Sequence, residues 1–388
     1  MKGLYIHIPF CKSKCYYCDF NSIVNTEYQD EYIEALIREI NLLEEKNFDT
    51  IFIGGGTPTI LSIKNLEKLL SSLEKFTPKE FTIEANPGTL NLEKLNMLKK
   101  YGVNRLSIGL QSTDNKVLKK LGRIHTYEQF LINFKDAKSL GFKNINVDLM
   151  FNLPDQNVKE FIETLLNVIK LEPQHISCYS LIIEENTKFY NLYQNDELNL
   201  LDEEEERLLY HKMTSLLKEN GYNQYEISNF AKIGYECRHN IIYWSDDEYI
   251  GVGAGAHSYI NGIRYSNVKD IKKYIYNIKN YGNAIEEKNI LTKEEHMAEF
   301  MFLGLRMNCG ININKFKSKF NEDVMQVYGN EILDLIDKGL IEKYGENIRL
   351  TEKGRDLSNL VFVSFLKWNF IIIMHILTKY FNSDILKS

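Results

Sequence analysis

The apolar positions of this 388-residue chain alternate between short runs and helical stripes. Residues 4–9 read as a buried strand, and the spacing of Tyr32, Leu36, Ile40 and Leu43 predicts a helix over 27–46. The pairing then recurs. A strand at 50–53 precedes a helix over 63–76, with Leu66, Leu69, Leu70 and Leu73 on one side. Strands at 81–85, 105–110 and 144–150 are each followed by helical segments, ending near 100, 140 and 170. A strand at 175–181 and an acidic helix over 202–218 complete six units. Such alternation implies an α/β fold, a parallel sheet with helices outside it. A complete barrel has eight units, so six fit a partial barrel, although the pattern alone does not separate this from an open sheet. In both, ligands are met at the C-terminal ends of the strands.

The texture changes after residue 221. Residues 221–257 are rich in glycine and aromatics and show no long helix. Helices return over 295–306, 313–320 and 326–338, followed by an expected hairpin at 341–350. Helices followed by a hairpin suggest a small winged-helix-like α+β domain. It shows no basic recognition face, so packing on the barrel is expected rather than nucleic-acid binding. Residues 360–377 are strongly apolar but interrupted by Lys367, Asn369 and His375, and the clean run is too short to span a bilayer. The expected divisions are 1–221, a linking region at 222–290, a C-terminal domain at 291–366 and an unassigned tail at 367–388.

Composition adds little to this picture. A chain with 44% hydrophobic and 26% charged residues is ordinary for a soluble globular protein, with room for one large and one smaller domain. The net charge of −6 gives no general attraction to nucleic acid. Six cysteines in this length are no disulfide framework, and Cys178, Cys237 and Cys309 are scattered. With no secretory signal at the start, a reducing cytoplasm is expected.

The other three cysteines carry the chemistry. Cys11, Cys15 and Cys18 stand at C-x3-C-x2-C spacing, where a short loop can wrap three thiolates round one metal centre. Soft thiolates suit zinc or an iron–sulfur cluster. Structural zinc usually takes four protein ligands, and the nearest fourth is His7, in the strand. A [4Fe-4S] cluster held by three cysteines would leave one iron open. The remaining motifs fall in order along one rim. Gly54-Gly-Gly-Thr-Pro58 follows the second strand, and Glu84, Gln111 and Asp148 lie near the ends of the third, fourth and fifth.

The flanks of the loop, Tyr5-Ile-His-Ile-Pro-Phe-Cys11 and Tyr17-Cys18-Asp-Phe20, resemble the radical S-adenosylmethionine family, in its oxygen-independent coproporphyrinogen III oxidase-like branch. The resemblance covers roughly residues 3–366. It implies a partial (β/α)6 barrel with a [4Fe-4S] cluster on Cys11, Cys15 and Cys18 and S-adenosylmethionine on the open iron. Gly55, Gly56 and Thr57 match the segment that meets the methionine amino group. Glu84, Gln111, Arg123 and Asp148 match further positions for S-adenosylmethionine, and Tyr5 and Tyr17 match positions beside the cluster.

His239-Asn-Ile-Ile-Tyr-Trp244 matches a motif of the branch's haem-chaperone members, which implies haem, with His239 as a candidate ligand. A histidine beside aromatics is otherwise an ordinary structural residue. The oxidase proper has a fourth cysteine where this chain has Phe20. The resulting expectation is a haem chaperone, with an unidentified electron donor and an unidentified haem acceptor, for which a membrane-associated protein is one candidate. Its rivals are the oxidase, which decarboxylates coproporphyrinogen III, and a zinc-stabilised binding module.

Overall fold

The computed structural model describes residues 1–366, so the tail at 367–388 lies outside the described residues. Six strands, β1 (Lys2–Ile8), β2 (Thr50–Gly55), β3 (Glu80–Ala85), β4 (Arg105–Gln111), β5 (Ile145–Phe151) and β6 (His175–Ser180), pair in parallel in sequence order. Between them run α1 (Gln29–Leu42), α2 (Ile63–Ser72), α3 (Leu92–Lys100), α4 (Asn115–Lys120), α5 (Tyr127–Ser139) and α6 (Val158–Ile169). Sequential order means the sheet never reverses direction. Right-handed crossovers then put every helix on the same face, which is the arrangement of a barrel wall.

Alternation along these strands sorts the side chains. Leu4, Ile6, Ile51, Ile53, Leu106 and Val147 join the apolar layer beneath the helices. Glu84, Arg105, Ser107, Asn146, Asp148 and Ser177 face inward and line a cavity. The barrel therefore has an apolar jacket and a polar lumen.

Residues 222–290 do more than link. After α7 (Lys188–Gln194) and α8 (Glu203–Glu219), β7 (Asn223–Glu226) and β8 (Asn229–Ala231) extend the sheet antiparallel beyond β6. The helix α9 (Arg238–Trp244) follows. On the other edge β9 (Glu248–Val252) pairs parallel with β1, and β10 (His257–Ile260), β11 (Ile263–Asn267) and β12 (Ile285–Ile290) complete a twelve-stranded sheet. Between the last two, α10 (Ile271–Tyr281) buries Ile271, Tyr274 and Ile278. These strands are three to six residues long, too short for periodicity to mark them.

The C-terminal unit runs α11 (Lys293–Leu305), β13 (Ile311–Asn312), α12 (Ile313–Phe320), α13 (Val324–Asp337), β14 (Ile341–Tyr344) and β15 (Asn347–Leu350), the element order of a winged helix. Two short helices close it, α14 (Glu352–Asp356) and α15 (Ser358–Ser364). Among the described residues no helix is long and apolar enough to cross a membrane.

Buried charge ties this unit to the barrel. Arg264 on β11 pairs with Glu299 on α11 at 2.5 Å, and both side chains are largely buried. Removing one partner strands the other charge in a dry site. Glu299→Ala is therefore expected to cost about 3–5 kcal/mol of stability, measured by denaturant unfolding. A loss within the range of an exposed ion pair, below about 1 kcal/mol, would contradict it.

Candidate cofactor-binding site

The cysteine loop leaves β1 and folds over the C-terminal ends of the strands. Cys11, Cys15 and Cys18 all line the mouth of the lumen, a cavity of about 860 Å3. The loop is tied by Cys11 N–H to Ile23 O at 2.9 Å and by Tyr16 N–H to Leu121 O at 3.0 Å. Burial pushes the Cys11 thiol up, and burial together with the neighbouring Cys15 pushes Cys18 up to about 12. Both thiols thus stay protonated until a cationic centre displaces their protons.

The glycine run brings backbone against this loop. A Cβ on Gly56 would stand 2.7 Å from Phe10 O and 3.0 Å from Cys11 Sγ, so only glycine permits the approach. Gly56 N–H donates to Ile8 O and Thr57 N–H to Phe10 O, both at 2.8 Å. Gly55 N–H donates to Glu84 Oε2 at 3.1 Å.

A hydrogen-bonded arc then connects the rim. Arg123 reaches Cys15 Sγ through Nη1 at 3.6 Å and Asn86 Oδ1 through Nη2 at 2.6 Å. Asn86 Nδ2 donates to Thr57 Oγ1 at 2.7 Å, and that hydroxyl lies 3.7 Å from Cys11 Sγ. Gly109 makes room for the arc, since a Cβ there would meet Asn86 Oδ1 at 2.9 Å and Arg123 Nη2 at 3.2 Å. At the end of β4 a bulge and a left-handed backbone at Gln111 (φ 68°) re-aim its side chain into the cavity, where its buried Oε1 has no partner.

The two inward carboxyls are unlike surface acids. Burial first, and the Asp148 charge second, push Glu84 up to about 8. Burial also raises Asp148, although Asn146 Nδ2 donates to it at 2.7 Å and Ser107 Oγ at 3.2 Å. Two inward acids of this kind can hydrogen-bond a polar ligand while protonated and pair with a cation once ionised.

Eleven of the thirteen expected site residues share this cavity: the three cysteines with Tyr17, the Gly55–Thr57 run, and Glu84, Gln111, Arg123 and Asp148. Tyr5 is not on its wall; its hydroxyl bonds His7 Nδ1 at 2.9 Å. His239 is at the opposite end of the strands from the cysteine loop. Its Nδ1 is 2.7 Å from Thr50 Oγ1 and its Nε2 2.9 Å from Tyr243 Oη, so both ring nitrogens are engaged within the protein. The ring stacks on Phe52, is 1% exposed, and is held down to about 3 by burial. With Glu80 accepting from the N–H groups of Arg238 and His239 at 3.0 Å, α9 forms the floor of the lumen.

Known proteins agree with this geometry. Residues 5–168 match the radical SAM superfamily and residues 291–357 the HemN C-terminal domain. The chain is 43% identical over 376 residues to the heme chaperone HemW of Bacillus subtilis (strain 168), covering 94% of this chain and 99% of that one. The chain belongs to the HemW family of radical SAM proteins. It is 41% identical to the Lactococcus lactis heme chaperone HemW, covering 93% and 96% of the two chains. Its fold is that of the coproporphyrinogen III oxidase HemN from Escherichia coli, with a TM-score of 0.82 over 95% and 90% of the chains at 24% identity.

Membership in this family implies a [4Fe-4S] cluster and S-adenosylmethionine. The residues fit both. Three thiols face one cavity beside a glycine cradle, and the two buried carboxyls and the orphaned Gln111 Oε1 await polar, cationic partners. Among the described residues no three metal-binding side chains converge on one ion, whereas a cluster spreads its ligands over separate irons. Sequence reasoning passed over Asn86, Ser107, Asn146 and Arg105, whose polar residues at alternate strand positions were the available signal.

The raised Glu84 makes stability depend on pH. Below its ordinary value of 4.5 both folded and unfolded chains hold the proton. Between there and about 8 only the folded chain keeps it, so the Glu84 contribution falls as pH rises. In denaturant titrations across this window, Glu84→Gln is expected to lose stability less steeply than the parent protein. Parallel profiles would contradict the buried, protonated carboxyl.

Proposed function

We propose that this protein is a haem carrier that passes haem to an acceptor protein. Cys11, Cys15 and Cys18 hold the [4Fe-4S] cluster, and the rim residues from Gly55 to Asp148 hold S-adenosylmethionine. The observation that carries this reading is 43% identity to a heme chaperone over nearly the whole of both chains. When bound, the cluster and S-adenosylmethionine supply one-electron chemistry at the rim. Around them, Arg123 and Asn86 fix the cysteine loop. Glu84 and Asp148 give a cationic ligand its counter-charges once their protons leave. Tyr17, Phe20 and Met150 screen the mouth from water. An electron donor and a haem acceptor, for which a membrane-associated haem protein is one class, are separate partners.

Haem is the cargo rather than a resident group, and it enters where the rim meets the C-terminal unit. Leu357 and Leu360 from that unit and Ile182 after β6 line the same cavity. Leu360 and Ile182 are each 62% exposed and offer an apolar lip. His239 serves as a brace.

Two outcomes test the reading. Anaerobically prepared protein is expected to hold about four iron and four sulfide per chain. Cys11→Ala, Cys15→Ala or Cys18→Ala should abolish this, while the exposed Cys309→Ala should not. Stoichiometric zinc without sulfide would give the zinc-module reading instead. With S-adenosylmethionine and reductant present, haem should bind and coproporphyrinogen III should be recovered unchanged by mass spectrometry. Carbon dioxide release that depends on Cys15 would make the protein a decarboxylase.

A further inference from the structure

One charged side chain in the lumen is unaccounted for. Arg105, the first residue of β4, is 1% exposed, lines the cavity, and finds no hydrogen-bond partner for Nε or Nη1 in the protein. A buried guanidinium without acceptors is costly, because its lost hydration is repaid only by directed hydrogen bonds. Glu80 and Asp148 stabilise its charge through space. Neither offers it an oxygen. Glu80 accepts from the N–H groups of Arg238 and His239, and Asp148 accepts from Asn146 and Ser107.

The contrast with its neighbours is informative. Asn146, beside it on the wall, bonds Ser107, Asp148, His175 and Ser177, so its own side chain is fully engaged. A second guanidinium on the same cavity repeats the pattern. Arg306, from the C-cap of α11, pairs with Glu226 through Nη2 at 3.4 Å, and its buried Nε has no partner. Two forks with open donors in one cavity match a planar, two-oxygen anion.

We propose that Arg105, assisted by Arg306, receives a carboxylate of the tetrapyrrole cargo, a propionate-type side arm directed down the lumen. The inference rests on the haem-carrier reading. A carboxylate is favoured over other anions because it is what such a macrocycle carries. The second source of carboxylate is S-adenosylmethionine. Arg105 opens β4 and Gln111 ends it, about 20 Å apart along the strand, and the titration with S-adenosylmethionine separates the two sources.

Holoprotein is titrated anaerobically with haem and with haem dimethyl ester, followed by absorbance, and with S-adenosylmethionine, followed by calorimetry. The parent protein should bind haem about ten- to a hundred-fold more tightly than the ester, the range for hydrogen bonds to a charged group. Arg105→Gln should remove that preference and leave ester and S-adenosylmethionine binding unchanged. Arg105→Lys keeps the charge and loses the fork, and covers the case in which the glutamine variant does not fold. It should lose part of the preference.

Equal binding of haem and ester by the parent would overturn the proposal, leaving a guanidinium satisfied by water. So would an Arg105 variant that weakens S-adenosylmethionine alone, which would assign the carboxylate to that ligand. If the parent binds no haem, the carrier reading fails separately. Propionate ion should then still raise the melting temperature of the parent and not of Arg105→Gln; no rise in the parent would overturn the carboxylate site as well.

Discussion

The structure depends on a barrel wall that is apolar on its outer face and polar on its inner face. Parallel strands are ordinarily covered on both faces, and a barrel interior is ordinarily packed with branched apolar side chains. Here the helix-facing positions are apolar, while the inward positions carry carboxyl, guanidinium, hydroxyl and amide groups. Each inward group has lost water and needs a partner. The wall supplies most of them, as in the hydrogen bonds from Asn146 and Ser107 to Asp148. Gln111, Arg105 and Arg306 are among those it leaves short, with buried donors or acceptors open to a ligand.

Closure at both ends follows from the same constraint. At the N-terminal end α9 seals the lumen, with Glu80 satisfying its first N–H groups and His239 locked between Thr50 and Tyr243. At the other end the cysteine loop and the C-terminal unit frame an open mouth. The unit is held there by contacts such as His211 on α8 with Asp356 at 3.0 Å. Among the described residues, α15 and the segment after β6 present apolar edges beside this mouth.

Much of this was legible in the sequence, and the reasons differ by element. The six strand–helix units were clear because each helix shows one apolar stripe and each strand a compact run. The rim was clear because Cys11, Gly55, Glu84, Gln111 and Asp148 follow successive strands in order. The edges of the sheet were not. The six residues of β12 are all exposed, so burial imposes no pattern on them. The position of His239 was not legible, because a motif records which residues occur together and not which end of a barrel they occupy. Its Thr50 partner is 189 residues away, and only the fold brings them together. Arg105 was missed for a similar reason: a charged residue at the start of a strand reads as a solvated edge unless the strand is known to face a lumen.

The central claim is that the rim formed by the cysteine loop, the glycine run and the inward carboxyls is one site for a cluster and its ligand. Electron paramagnetic resonance of the anaerobically reduced protein, recorded before and after S-adenosylmethionine is added, tests this most directly. The account predicts a changed signal in the parent protein and a weaker change in Asp148→Ala and Gln111→Ala at unaltered iron content. A spectrum that stays the same in the parent at saturating S-adenosylmethionine would contradict it.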